Sequence, residues 1–155
     1  MFEHNGVESF HHLRGMFALA IYDKKEERVI LARDPFGIKP LYYWQADGKV
    51  KAFASEIKSF LKIPTFQKRV NDKAVYNYLS FQYNPLPETF FKNIFKLPPA
   101  HYMTIDLKSG RGEKTRYYQF KFRPNKELKE EETKKRVLKT MEDSVLHHMI
   151  ADVPV

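Results

Sequence analysis

The chain has 155 residues, of which 43% are hydrophobic and 15% aromatic, and a net charge of +8; this fits one domain or slightly more, with enough apolar mass for a core. No apolar run approaches the ~18 residues of a membrane span, and Met1-Phe2-Glu3-His4-Asn5 lacks the charged-then-apolar order of a signal peptide. Cysteine is absent, which excludes disulfides, thiolate metal sites and a cysteine nucleophile within these residues; the cytoplasm is the expected setting.

Phe2 to Leu13 reads as a short helix with Phe2, Phe10 and Leu13 on one face, interrupted at Asn5-Gly6. Leu13 to Asp23 and Val29 to Arg33 are two apolar runs of strand length around a charged turn, Lys24-Lys25-Glu26-Glu27, and predict a hairpin. The first run is apolar at almost every position, which predicts a strand buried on both faces. The second ends in Arg33-Asp34-Pro35-Phe36-Gly37-Ile38-Lys39-Pro40. Pro35 and Pro40 fix φ there and Gly37 allows a positive φ, so Ile38 and Lys39 sit on a short loop of defined shape. Leu41 to Trp44 and Val50 to Ala54 follow as strands around Ala46-Asp47-Gly48. Four such strands predict an antiparallel meander.

Ser55 caps a predicted helix through Lys62, with Ile57, Phe60 and Leu61 on its apolar face, and Pro64 stops it. Asn71 or Asp72 caps the next helix, whose Ala74, Val75, Tyr78 and Leu79 are at helical spacing. Asn84-Pro85-Leu86-Pro87 is a loop. Ile94 to Leu97 and Tyr102 to Leu107 are strands. Thr115 to Phe122 pairs with the latter across Lys108-Ser109-Gly110-Arg111-Gly112. A long helix opens between Lys126 and Glu130, acidic residues first, with Leu138, Met141, Val145 and Met149 as an apolar stripe. Ala151 to Val155 begins a further strand. The pattern is an α+β fold of antiparallel strands with flanking helices, a C-terminal hairpin and a long helix.

Charge is unevenly placed: +4 over residues 1–107, +7 over 108–139 and −3 over 140–155. A basic stretch attracts polyanions, but the alternation of Tyr117, Tyr118, Phe120 and Phe122 with Arg116, Lys121 and Arg123 fits a half-buried strand better than a nucleic-acid platform. Gly110-Arg111-Gly112 lacks the third glycine and following helix of a phosphate cradle and reads as a turn. His11-His12 and His147-His148 are adjacent pairs whose side chains diverge by about 100° on a helix, so no metal site is expected. Ser55-Glu56 has no histidine placed to relay a proton. Asp34 beside Arg33 reads as a structural pair that holds the corner through hydrogen bonds to backbone. Met16 reads as a core methionine on its own.

In order and spacing, LRGMFALAIYD, LARDPFGIKPLYY, FASEIKSFL, the NYL segment, KLPPAHYMTID and ADVPV resemble glutamine-hydrolysing asparagine synthetases of the class II glutamine amidotransferase family. The resemblance covers essentially the whole chain. It implies that residues 1–107 are the C-terminal half of a glutaminase domain, a partial sandwich of the N-terminal-nucleophile type. Residues 108–125 would be a hairpin and linker, and 126–155 a helix and first strand leading into an ATP-pyrophosphatase synthetase domain. The full enzyme would take glutamine, aspartate and ATP with Mg2+, channel ammonia and pass through aspartyl-AMP.

The same resemblance implies that Met16, Ile38 and Lys39 line the ammonia passage, with Arg33, Asp34, Pro35, Gly37 and Pro40 as its structural corner. It assigns no catalytic residue, metal or cofactor to this chain. The family's nucleophile is an N-terminal cysteine, and residue 2 here is Phe2; its S-G-G-x-D-S-S nucleotide loop follows ADVPVG, beyond Val155. The chain alone is therefore expected to catalyse neither half-reaction, and its uncovered sheet to drive self-association or dimerisation. Two alternatives stand beside this reading: another ATP-dependent class II amidotransferase, including a sugar-directed one against which ADVPV argues, and a non-enzymatic basic binding or scaffold module.

Overall fold

The computed structural model describes residues 1–125 and 127–149. It divides into two compact units, 1–119 and 120–155.

The first unit is built from two antiparallel sheets. Strands β1 (Ala18–Asp23), β2 (Arg28–Arg33), β6 (His101–Asp106) and β7 (Gly112–Arg116) form one, in the order β1-β2-β6-β7. Strands β3 (Tyr42–Ala46), β4 (Lys49–Ala54) and β5 (Ile94–Lys96) form the other, in the order β4-β3-β5. The period of two along each strand sorts side chains into layers. Leu31, Met103 and Ile105 from the first sheet meet Leu41, Tyr43 and Leu97 in a shared core. Ile30 and Ala32 point the other way, against Phe10 and Tyr117. There the chain start covers the sheet with α1 (Phe2–Asn5) and a 3-10 turn over Gly6–His12. On the outer face of the second sheet, Trp44 and Ile94 pack on Phe60 and Phe66, with Phe60 carried by a 3-10 helix over Ile57–Lys62. The unit is thus helical segment, sheet, sheet, helical segment. Each fully buried Leu or Ile in it contributes about 1.5–3 kcal/mol.

The sequence pattern and the structure differ at several places. β1 is not buried on both faces: it is an edge strand, and its Ala20 and Tyr22 are exposed because the second sheet does not extend over them. The strand buried on both faces is β2, which pairs on both edges. The four strands do not form a meander. The corner at 34–40 carries the chain out of the first sheet, so β1–β2 and β3–β4 are hairpins in different sheets. In the second hairpin Asp47 (φ 53°) and Gly48 (φ 71°) both take positive φ, as a two-residue turn of this hand requires.

Ser55 does not cap a helix. Glu56 precedes the 3-10 helix and no side chain caps it. α2 (Asp72–Phe81) begins after Asn71, its N-cap residue as expected, but the side-chain oxygen of Asn71 accepts no N–H of the first turn, and its amide group donates to the Thr89 carbonyl (3.1 Å). Of its apolar residues only Ala74 is buried; Tyr76, Tyr78, Leu79 and Phe81 are exposed. The strand read at Thr115–Phe122 lies earlier, at Gly112–Arg116 with Gly112 opposite Ile105, and the chain from Tyr117 to Asn125 is irregular. Tyr117 is buried, whereas Tyr118, Phe120 and Phe122 are exposed.

In the second unit, α3 spans Glu130–His148, with Glu130, Glu131 and Glu132 in its first turn and His147 and His148 in its last, as the helix dipole favours. Leu138, Met141 and Val145, together with Met149 just past the helix end, are exposed. The strand expected at Ala151–Val155 lies outside the described residues. Among the described residues, no helix is long and apolar enough to cross a membrane.

Candidate functional site

The corner that leaves β2 gathers the buried charge of the first unit. Asp34, Pro35, Phe36 and Gly37 form a turn closed by the Gly37 N–H donating to the Asp34 carbonyl (3.0 Å). Pro35 occupies the position its fixed φ suits, and Gly37 has φ 65°. A Cβ on Gly37 would lie 2.7 Å from Pro99 Cγ and 3.1 Å from Arg33 Cζ, so close packing as well as backbone shape requires glycine here.

Asp34 is 1% exposed. Its Oδ1 accepts the backbone N–H groups of Phe36 (3.1 Å) and Ile38 (3.0 Å), and its Oδ2 accepts that of Lys39 (3.0 Å). Burial works to raise the carboxyl pKa, but the N–H groups of Ile38, Lys39, Phe36 and Gly37 outweigh it and hold the group below its ordinary value. Asp34 is therefore a carboxylate at neutral pH, and its charge is spent on shaping the loop.

Arg33 is 5% exposed and points into the same loop. Its Nε donates to the Lys39 carbonyl (2.8 Å), and its two terminal nitrogens to Leu97 (2.7 Å) and Gly37 (2.5 Å). Burial pushes its pKa down and the Asp34 charge opposes that. One guanidinium thus joins the corner to the segment that follows β5. The same segment closes from the other side: Ala100 N–H donates to the Asp34 carbonyl, and Leu97 N–H to the Leu41 carbonyl. Tyr117, far along the chain, donates its hydroxyl to the Arg33 carbonyl (2.7 Å) and its N–H to Ala100. Burial, then the negative charge of Asp34, push the Tyr117 phenol up to about 12.

Ile38 and Lys39 are held on this loop by their backbone N–H groups, and their side chains face outward; Ile38 is 56% exposed. Met16 is 42% exposed, one residue before Phe17, whose carbonyl accepts the Asp34 N–H (2.9 Å). All three therefore lie at the end of the β1–β2 ladder where the corner begins. The side chain of Met16 is not a filler of the buried core.

The other candidate groups are separate from this corner. Gly110 N–H donates to the Asp106 carbonyl in a turn, and Asp106 Oδ1 also accepts the backbone N–H and hydroxyl of Ser109. Glu56 pairs with Lys58 on the surface. His11 lies edge-on to Tyr117, and His147 pairs with Asp143. Among the described residues no three His, Asp or Glu side chains gather into a metal-binding group. Leu97, Ala100 and Tyr117 are the corner members that sequence reasoning missed; 84 residues separate Tyr117 from Arg33, and no local pattern carries that contact.

Residues 1–118 match the family described as glutamine amidotransferase domain. Over 154 residues the chain is 38% identical to asparagine synthetase (glutamine-hydrolyzing) 1 of Bacillus subtilis, covering 99% of this chain and 24% of that protein. It is 34% identical over 123 residues to asparagine synthetase (glutamine-hydrolyzing) 2 of the same organism, covering 76% and 16%. It is also 34% identical over 162 residues to amidase chyE of Penicillium rubens, covering 100% and 23%. The chain spans about a quarter of the length of the first of these relatives.

Proposed function

Because the chain belongs to the glutamine amidotransferase domain family, we propose that it is the second half of a glutaminase domain, of the N-terminal-nucleophile sandwich type, joined to the lead-in of a synthetase domain. The whole protein would be a glutamine-dependent asparagine synthetase of the cytoplasm, a ligase. It would release ammonia from glutamine and deliver it to aspartate activated by ATP. The observation that carries this reading is the Arg33–Asp34 corner. It spends two buried charges on backbone to hold an apolar residue, Ile38, outward at the end of the ladder where Met16 is also uncovered.

Such a surface suits the wall of an ammonia passage. Apolar side chains exclude bulk water, which would protonate ammonia and remove the lone pair that attacks the acyl adenylate. Lys39, fixed on the same loop, adds a positive charge that repels ammonium more than neutral ammonia. The described residues gather no metal-binding group, and the chain has no Gly-rich loop of the kind that grips the pyrophosphate of ATP. It also has no cysteine to attack glutamine. In this reading both bond-making centres belong to flanking polypeptide, and this span shapes the route between them. Relatives named as amidases match the same span; the aspartate acceptor proposed here follows the relatives named as asparagine synthetases.

The reading has two tests. The purified 155-residue chain releases no glutamate from glutamine; turnover would overturn the assignment. Placed in the Bacillus subtilis relative in exchange for the matching quarter, the chain supports glutamine-dependent asparagine formation. In that background Ile38→Asp raises the glutamate released per asparagine formed by roughly five-fold or more, a loss of about 1 kcal/mol of coupling. An unchanged ratio would remove the passage from this corner.

A further inference from the structure

The outer face of the second sheet carries a cavity of about 610 Å3 that the reading above does not use. Its floor includes Trp44 and Phe66, packed edge to face with ring centroids 5.3 Å apart. Its walls bring together Lys51 of β4, Arg69 from the segment after the 3-10 helix, and Lys92 from the turn before β5; Asp47 is the one acid that lines it. The Lys92 N–H donates to the Arg69 carbonyl (2.9 Å), which fixes two of these segments to each other. Among the described residues, none of the three cations has an ion-pair partner.

Three like charges from separate segments of the chain repel one another around one concavity, and a concave wall concentrates their field. The net lining charge is about +2. The volume lies in the range of small-molecule sites. A phosphate monoester carries about −1.5 to −2 at neutral pH and three acceptor oxygens, which balances this charge, whereas a single carboxylate leaves about half of it unmet. We propose that this cavity binds a small organic phosphate, its phosphate held by Lys51, Arg69 and Lys92 and its organic body laid on the Trp44–Phe66 floor. The proposal does not depend on the amidotransferase reading.

Trp44 is the sole tryptophan of the chain, so its fluorescence reports occupancy directly. Titration of the 155-residue chain with AMP gives a saturable change, with adenosine and inorganic phosphate each binding at least about ten-fold more weakly. Arg69→Glu with Lys92→Glu weakens AMP at least about ten-fold, with the far-UV circular dichroism unchanged. If that pair disturbs the fold, Lys51→Gln alone still weakens AMP by several-fold, by loss of one charge-assisted contact. Adenosine binding as tightly as AMP overturns the phosphate assignment, and phosphate alone binding as tightly as AMP overturns the aromatic floor. The absence of a saturable change up to about 10 mM AMP overturns the site.

Discussion

Asn in place of Asp34 removes one charge and changes one atom of the corner, with almost no change in volume. The remaining carbonyl oxygen still faces the N–H groups of Phe36 and Ile38, but the new amide sets a donor against the N–H of Lys39. One charge-assisted bond is lost, worth about 1.5–3 kcal/mol, and the other two weaken from charged to neutral acceptors. We expect Asp34→Asn to lower stability by about 3–4 kcal/mol in all, or roughly 10–15 °C in Tm for a unit of this size. Because folding holds the Asp34 pKa below its ordinary value, its contribution is fully present above about pH 4 and is lost as the pH falls through the lower folded value. The parent–variant gap, read by urea unfolding under circular dichroism, is therefore constant from about pH 6 to 8 and narrows in acid. A gap under about 1 kcal/mol, or one that widens in acid, would refute the claim that this carboxylate acts as an anion that organises backbone.

Tyr117→Phe costs about 1–2 kcal/mol through the lost bond to the buried Arg33 carbonyl. That contribution is present below about pH 10 and gone above the phenol's raised pKa of about 12; absorbance titration at 295 nm shows a last tyrosine transition that the variant lacks. Gly37→Ala costs about 2–4 kcal/mol, from the positive φ plus the close approach to Pro99, and an unchanged Tm would contradict the packing described for this turn. The unpaired edge of β1 and the exposed Tyr76, Leu79 and Phe81 of α2 predict concentration-dependent association in sedimentation velocity. Leu79→Lys with Phe81→Lys reduces it, and a monomer at all concentrations would count against the uncovered surface as its cause.

Local patterns in the sequence carry the hairpins. Charged residues between two apolar runs define β1–β2, and Asp47-Gly48 defines β3–β4, because turn chemistry and a period of two act over fewer than ten residues. The mixed α and β architecture with antiparallel sheets is legible for the same reason. Which hairpin joins which sheet is not. β2 takes β6, some seventy residues later, as its second neighbour, and nothing near Val29–Arg33 encodes that choice. The apolar run of β1 misled for a related reason: composition reports what a strand can bury, while its position at a sheet edge decides what it does bury. At Tyr117–Phe122 alternation suggested a strand, but β6 has already ended its ladder at His101 opposite Arg116, so no partner backbone remains.

The corner shows where such reading reaches and where it stops. Two prolines, a glycine and an Arg-Asp pair within eight residues are a local signal of rigid backbone, and Asp34 completes its three side-chain bonds inside that window. Arg33 does not: its bond to Leu97 and the Tyr117 bond to its carbonyl come from chain 64 and 84 residues away. This division has a mechanical consequence. The local bonds of Asp34 set the shape of the loop, while the distant bonds through Arg33 set its position against both sheets. Loss of Asp34 should therefore distort how Ile38 and Lys39 are displayed. Loss of Tyr117 should leave that display intact and loosen its attachment to the segment that leaves β7.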